Sequence, residues 1–413
     1  MKTISVIGGG ASGFAAAIEA ARVSREMKID VKVNIYERLP KAGKKILATG
    51  NGRCNVLNSR NDIDNYNGDR KFISSVFSQY DVKSNIEFFG SLGICLSEED
   101  DGRLYPMSNQ ASTVLDALRF EAELLGIEII CDTKITSVKK HNDGFILNDT
   151  FYCDAVIVSG GGKSAPVQGS DGSCFNILSS FGVRIKPCFP SLTGIMFKKK
   201  NKDLKGTRAA GEILIVDNGR VVAASSGELQ YTDYGVSGIP AMEVSRAVSG
   251  HFAKKVQGKV VAAINSLPDF TPEEIYDYIL RRKQHNPSLL CEDLLSGVMP
   301  KKLGVAKLHS AGIDIHSPVS SLNKNKIALL TEIINSEIFE VTGTLNFENS
   351  QVTAGGADTK MFDTSTLECK KVKGLYACGE VLDVDARCGG YNLSWAWSSG
   401  RCAGAAAVKS FGV

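Results

Sequence analysis

The feature that most limits what this chain can become lies close to its N-terminus. A short β-rich run, Thr3 to Ile7, is followed at once by Gly8-Gly9-Gly10-Ala11-Ser12-Gly13 and then by a helical stretch from Phe14 to Arg25. Val31 to Tyr36 is a second β-rich run, and Glu37 follows it. Strand, glycine turn, helix and strand form the opening half of a dinucleotide fold. In Gly8-x-Gly10-x-x-Gly13 each glycine has its own task. Gly8 permits the tight turn, Gly10 lets backbone approach a pyrophosphate, and Gly13 lets helix and strand pack closely. The helix N-terminus then offers free N–H groups and a partial positive charge to phosphates. Glu37 stands where an acid accepts hydrogen bonds from a ribose. The competing reading is a glycine-rich turn with no ligand, and the flanking strand, helix and acid weigh against it.

Length and composition set the frame for that motif. A chain of 413 residues implies two or three domains, and 43% hydrophobic with 23% charged residues is a globular composition. The net charge of +3 gives no sign of a basic face, so no nucleic-acid partner is expected. One dense basic run exists, Lys198-Lys199-Lys200 with Lys202 and Lys205 after it. It reads as a solvated strand end or turn, with a phosphate or membrane contact as the alternative. The 11 cysteines are dispersed from Cys54 to Cys402 without a C-x-x-C pair, which reads as reduced thiols in a reducing compartment. The 5 histidines form no metal-binding spacing, so no metal site is expected. Glycines and charges interrupt the first apolar stretch, which argues against a signal peptide, and no long apolar run follows. The expected location is the cytoplasm, without a membrane partner. No coiled-coil heptads point to an oligomeric state.

Further along, residues 40–70 read as a long loop, with helical patterns near 82–92 and 111–125. Ala155 to Val158 is a buried strand ending in Ser159-Gly160-Gly161-Gly162. From about 190 the text alternates as antiparallel strands do. Thr271-Pro272-Glu273-Glu274 then opens a helix with a threonine cap, proline first and glutamate third. After 350 the α/β character resumes. The expected domains are therefore 1–190 and 351–413 as two segments of a dinucleotide-binding domain, with 191–350 inserted between them.

The late segment decides which dinucleotide. A strand runs into Cys378-Gly379-Glu380, acids follow at Asp383 and Asp385, and Gly389-Gly390-Tyr391-Asn392 leads into a helix. In two-segment FAD folds such a strand and helix return to the first domain. There one of these acids meets the ribityl chain, and the helix start beyond Gly390 faces the flavin edge where charge collects on reduction. An NAD-only enzyme needs no such segment, and no second G-x-G-x-x-G is present. The loop Gly43-Lys44-Lys45-Ile46-Leu47-Ala48-Thr49-Gly50-Asn51-Gly52-Arg53-Cys54-Asn55 either lies along a flavin, with Lys44, Lys45 and Arg53 facing phosphates or the ring edge, or is a flexible surface loop.

Together these motifs resemble the group of bacterial FAD-dependent oxidoreductases that includes bile-acid reductases of the BaiN type and aminoacetone oxidase. The loop 43–55 and the segment 379–393 carry the resemblance most specifically. Leu104-Tyr105-Pro106-Met107-Ser108, Gly227-Glu228, Gly235-Val236-Ser237-Gly238 and Val352-Thr353-Ala354-Gly355-Gly356 extend it along the whole chain. The chain departs from the group's usual pattern at Asp233, Ile239, Ser159 and Ala165, in or near the insert and the substrate side. The resemblance implies an α/β fold: a Rossmann-type FAD-binding domain of the two-segment, glutathione-reductase-like kind. Its insert would be a split β-barrel-like domain with a small helical cap. It also implies FAD contacts at Ser12, Glu37, Lys45, Arg53, Ile135 by its backbone, Asp383, Asn392 and Leu393.

The expected chemistry is that of an oxidoreductase acting on a small-molecule substrate. The leading expectation is reduction of a carbon–carbon double bond conjugated to a carbonyl, in a 3-oxo steroid or bile acid, with NADH or NADPH visiting as hydride donor. Tyr391 is then either the proton donor to the α carbon or a packing residue. One alternative is an amine or aminoketone oxidase that reduces O2 to H2O2, with Asp233 holding a substrate ammonium or capping a turn. Another is a flavin-binding protein connected with RNA modification.

Overall fold

The computed structural model describes residues 1–200 and 202–412. The chain divides into two compact units, one built from residues 1–189 and the chain from Gln351 onward, the other from Pro190–Ser350.

The first unit is organised by a parallel sheet. Its strands are β1 (Lys2–Ile7), β2 (Val31–Tyr36), β3 (Glu128–Ile130), β4 (Ala155–Val158) and β5 (Leu375–Ala377), in the order β5-β4-β1-β2-β3. The register pairs Val6 with Ile35 on one side and with Ile157 on the other. Both faces of the central strands are covered, so β1 and β4 are buried without the alternation of a half-exposed strand. Helix α1 (Ala11–Met27) crosses from β1 to β2 and buries Phe14, Ala15, Ala16, Ala17 and Ile18. Its main partner is the last helix, α2 (Tyr391–Lys409). The two approach closely because both are rich in small residues. A Cβ on Gly404 would overlap the Ala16 carbonyl oxygen and lie 2.9 Å from its carbonyl carbon, too near for any side chain. The final segment is thus keyed to the first by shape, with most of the chain between them.

The second unit is a closed barrel with helices attached. The strands Ile195–Phe197, Gly235–Ser237, Arg220–Tyr231, Arg208–Asp217, Val260–Asn265 and Glu337–Thr344 neighbour each other in that order around the barrel. Along Arg208–Asp217, Ile213 and Ile215 are buried while Leu214 and Val216 are only half-buried, the period of two expected of a strand with one face inward. Helix Ile239–Ala253 adds Ala241, Val244 and Val248 to the same core. The helical part comprises Pro272–His285, Lys301–Ser310 and Lys324–Asn335. Its first helix starts as the sequence indicates. Thr271 Oγ1 accepts the Glu274 N–H (3.2 Å), and the Glu274 carboxylate accepts the Thr271 N–H (2.8 Å). Among the described residues, no helix is long and apolar enough to cross a membrane. The cysteines are free thiols, most of them buried.

Candidate functional site

The glycine turn between β1 and α1 is shaped by close contacts. Gly8 adopts a φ of +108°, and a Cβ there would lie 2.8 Å from the Gly160 Cα on the turn after β4. A Cβ on Gly13 would overlap the Gly8 carbonyl oxygen. Gly10 differs: nothing lies within 4 Å of where its Cβ would be. It is the N-cap of α1, and no side chain caps that helix. Free N–H groups therefore open onto space at the positive end of a helix, which is a binding site for phosphate oxygens.

Glu37, directly after β2, is buried beside this turn. Its Oε2 accepts the Gly9 N–H (2.9 Å) and its Oε1 the Leu39 N–H (2.8 Å). Each oxygen keeps a second lone pair with which to accept a hydroxyl. Ile135 is buried, and the segment before it reaches Glu37 through the Thr133 N–H, which donates to the Glu37 carbonyl (2.9 Å). Ser12 is buried against Gly379, whose φ of +75° and lack of side chain let the turn after β5 close on α1.

Lys45 does not stand alone. Its Nζ pairs with Glu380 Oε2 at 2.8 Å, and Glu380 Oε1 accepts the Thr353 N–H at 2.8 Å. Thr353 Oγ1 in turn accepts the N–H groups of Lys163 (2.8 Å) and Ser164 (3.0 Å). Gly162 faces the same carboxylate, since a Cβ there would lie 3.1 Å from Glu380 Oε1. Glu380 thus joins the 43–55 loop, the turn after β4 and the late strand, a role the sequence reading gave to no residue. The available signal was an acid immediately after the strand and glycine at 375–379. Asp383 is occupied differently: Lys186 Nζ lies 2.5 Å from its Oδ2 and 3.7 Å from Asp358, a buried carboxylate that also binds Arg184.

A second group surrounds the start of α2. Gly389 and Gly390 hold φ values of +117° and +95°, and no side chain caps the helix. Three amides fix this turn. Asn58 Nδ2 donates to the Gly389 carbonyl (2.8 Å). With its amide oriented to satisfy both ends, Asn55 donates to the Leu57 carbonyl (2.9 Å) and accepts the Gly390 N–H (3.1 Å). Asn392 Oδ1 accepts the Ala386 N–H (2.9 Å), and its Nδ2 donates to the Ala386 and Arg387 carbonyls (3.0 and 3.2 Å). Leu393 is half-buried against the core. Tyr391 packs edge-on to Tyr66 with ring centroids 5.9 Å apart, and Tyr66 donates to the Tyr391 carbonyl (3.1 Å). Burial pushes the Tyr66 phenol well above its ordinary pKa. The two groups are tied through Gly379, whose N–H donates to Ser399 Oγ (2.9 Å) and whose carbonyl accepts from Trp395 (3.1 Å).

Arg53 is engaged by neighbouring side chains. Its guanidinium lies over the Tyr105 ring, 4.1 Å from the centroid, and binds Glu99 and Asn109. In the second unit, Asp233 is paired with Lys205 at 2.9 Å, and that pairing lowers its pKa.

The glycine cradle, the acid at the end of β2 and the two uncapped helix starts suit an FAD molecule. Residues 2–406 match the family described as HI0933-like protein Rossmann domain. The chain belongs to that family. Among its relatives is the 3-dehydro-bile acid delta(4,6)-reductase of Clostridium scindens, 36% identical, with 99% of this chain and 100% of the relative covered. The ribosomal RNA dihydrouridine synthases of Haemophilus influenzae and Escherichia coli are 30% and 27% identical, each over 95% of both chains. Among solved structures, E. coli quinol fumarate reductase shares the fold, with a TM-score of 0.50 at 15% identity over 99% of this chain and 71% of that one. This family member is an FAD-dependent oxidoreductase with a Rossmann-type FAD domain.

One expectation is overturned. The net charge of +3 suggested that nucleic acid has no part here, yet two relatives matched over 95% of their length are named ribosomal RNA dihydrouridine synthases, which points to a nucleic-acid relation. The inference failed because net charge is a sum over the whole surface and is blind to where the charges lie.

Proposed function

We propose that this chain catalyses the NAD(P)H-dependent reduction of a carbon–carbon double bond conjugated to a carbonyl, in a hydrophobic small molecule of the 3-oxo steroid or bile-acid type. The observation that carries this reading is the end-to-end 36% identity to the bile-acid delta(4,6)-reductase. Bound FAD supplies the hydride carrier for such chemistry. In this reading the N-terminus of α1 and the free lone pairs of Glu37 hold the cofactor's pyrophosphate and ribose. Lys45, with Glu380, orders the 43–55 loop over it. The uncapped start of α2, fixed by Asn55, Asn58 and Asn392, offers positive charge where negative charge develops. Reduction adds hydride at the β carbon and a proton at the α carbon, and Tyr391 is the proton donor. The free cysteines support a reducing compartment, the cytoplasm, as the place of work.

A second substrate has its own support. Dihydrouridine is uridine whose ring double bond, conjugated to a ring carbonyl, has been saturated. The two ribosomal RNA dihydrouridine synthases therefore name the same class of reaction on a different molecule. Anaerobic reduction of the purified flavoprotein with NADH and with NADPH, followed by addition of acceptor, separates the readings. Reoxidation by an unsaturated 3-oxo bile acid supports the first. Reoxidation only by ribosomal RNA lacking dihydrouridine supports the second. A flavin that neither nucleotide bleaches, but that small aminoketones bleach and air restores, refutes both.

A further inference from the structure

Five cations that are scattered in the sequence meet at one side of the barrel in the second unit. The turn before Arg220 is pinned to the segment before Val260. The Asn218 N–H donates to the Lys259 carbonyl (3.2 Å), and Asn218 Nδ2 donates to the Gln257 carbonyl (3.0 Å). Helix Ile239–Ala253 ends beside the same turn, because His251 Nδ1 lies 3.0 Å from Asp217 Oδ2. Lys254 and Lys255 follow that helix end directly. On the neighbouring strands Val261 pairs with Glu340, and the Lys198 N–H donates to the Glu340 carbonyl (2.9 Å). Lys198 Nζ holds the Glu340 carboxylate at 2.9 Å, and Lys259 acts on the same carboxylate.

The result is a basic surface. Lys198, Arg220, Lys254, Lys255 and Lys259 are all exposed, and Lys199 and Lys200 extend it. The acids in this cluster are already engaged, Asp217 by His251 and Glu340 by Lys198. Arg220, Lys254 and Lys255 have no ion-pair partner among the described residues. Beside them Phe252 is 42% exposed, an aromatic face open to solvent. Clustered cations with little local compensation and an open ring suit a phosphate backbone with bases to stack.

We propose that this surface, centred on Arg220, Lys254, Lys255 and Lys259, docks the phosphate backbone of RNA. The proposal rests on the second substrate reading above, in which the reducible ring is a uracil.

The test compares K254Q/K255Q/K259Q with R281Q/K302Q/K324Q, which removes the same charge from exposed positions on the helical part. The probe is a short fluorescein-labelled, uridine-rich RNA hairpin, titrated by anisotropy between about 50 and 200 mM salt. The first variant is expected to lose roughly 10-fold or more in affinity, and its log–log salt slope to fall by about 2, given about 0.7 per lost contact to single-stranded RNA. The second is expected to bind as the unaltered protein does. Matching circular dichroism and flavin spectra show that both variants are folded. Equal binding by the two variants overturns the proposal, as does absence of RNA binding by the unaltered protein. Binding to phosphatidylserine vesicles in place of RNA also overturns it and assigns the surface to a membrane. Turnover of a small unsaturated 3-oxo acid, measured on the same samples, reports on the reductase chemistry separately, so failure of one does not imply failure of the other.

Discussion

Replacing Asn58 by alanine tests whether side-chain amides hold the turn ahead of α2. Asn58 is 1% exposed. Its Nδ2 donates to the carbonyls of Gly389 (2.8 Å) and Asp101 (3.0 Å), and its Oδ1 accepts the Arg60 N–H (2.9 Å). Alanine replaces none of these bonds. At about 1 kcal/mol for each lost bond the three total about 3 kcal/mol, with somewhat more where a buried carbonyl is left without a donor. A domain of this size shifts its melting temperature by roughly 2–4 °C per kcal/mol, so Asn58→Ala is expected to lower it by about 6–12 °C. Thermal unfolding followed by circular dichroism, together with the rise in fluorescence as flavin is released, measures both fold and cofactor retention. Asn58→Asp sharpens the test. It preserves shape and the acceptor for Arg60, but turns a carboxylate oxygen toward two carbonyl oxygens. It is therefore expected to destabilise at least as much as alanine. A melting point within about 2 °C of the unaltered protein, or an aspartate variant milder than the alanine one, refutes the reasoning.

Tyr391→Phe is expected to lower kcat by roughly 100-fold with FAD content unchanged, the size of effect that loss of a positioned general acid produces; a loss of only a few-fold in stopped-flow reoxidation assigns the ring to packing. Asp171 gives a pH signature. Burial pushes its carboxyl up, but bonds from Ser173 and Lys134 and the nearby Arg38 outweigh this and hold it at about 2. A depressed carboxylate stabilises the fold above its unfolded pKa of about 4 and loses that contribution as pH falls toward the folded value. Asp171→Asn is thus expected to cost on the order of 1 kcal/mol near neutral pH after allowance for solvent screening, and the gap in urea unfolding should narrow between about pH 4 and pH 2. Lys307, 1% exposed and 2.8 Å from Glu337, is held below the usual lysine range by burial. Lys307→Met leaves that carboxylate without its cation and is expected to destabilise by about 3 kcal/mol, most of it recovered when Glu337→Gln is added; equal melting points for the single and double variants contradict this.

Much of the first unit was legible because its signals are local. Gly13 packs on the Gly8 carbonyl within a single strand–turn–helix, and the spacing of the glycines shows that turn even though Gly8 also meets the turn after β4. In the second unit, likewise, Thr271 and Glu274 cap a helix using only each other's atoms. Glu37 follows its strand, and the strand's position in a parallel sheet places it beside the glycine turn. Other residues were not legible. Glu380 meets Lys45 across 335 positions. Lys186 was not singled out at all, although its ammonium lies 2.5 Å from Asp383. Asn58 lies on the short strand Leu57–Asn58, in a stretch whose sequence shows polarity and glycine but not which carbonyls it will meet. Arg53, placed by its motif near a flavin or phosphate, is held by Glu99, Asn109 and Tyr105.

The sequence by itself therefore determined the fold class, the dinucleotide turn and the return of a late FAD segment, since each is written in backbone requirements and short-range periodicity. The tertiary structure alone decided the distribution of charge and the pairing of distant side chains. A net charge of +3 is the same for any arrangement of 48 basic and 45 acidic residues. Strand register and one histidine–aspartate contact, by contrast, bring Lys198, Arg220, Lys254, Lys255 and Lys259 to one side of a barrel. Electrostatic recognition depends on distances between charges, and closing the chain on itself is what sets those distances.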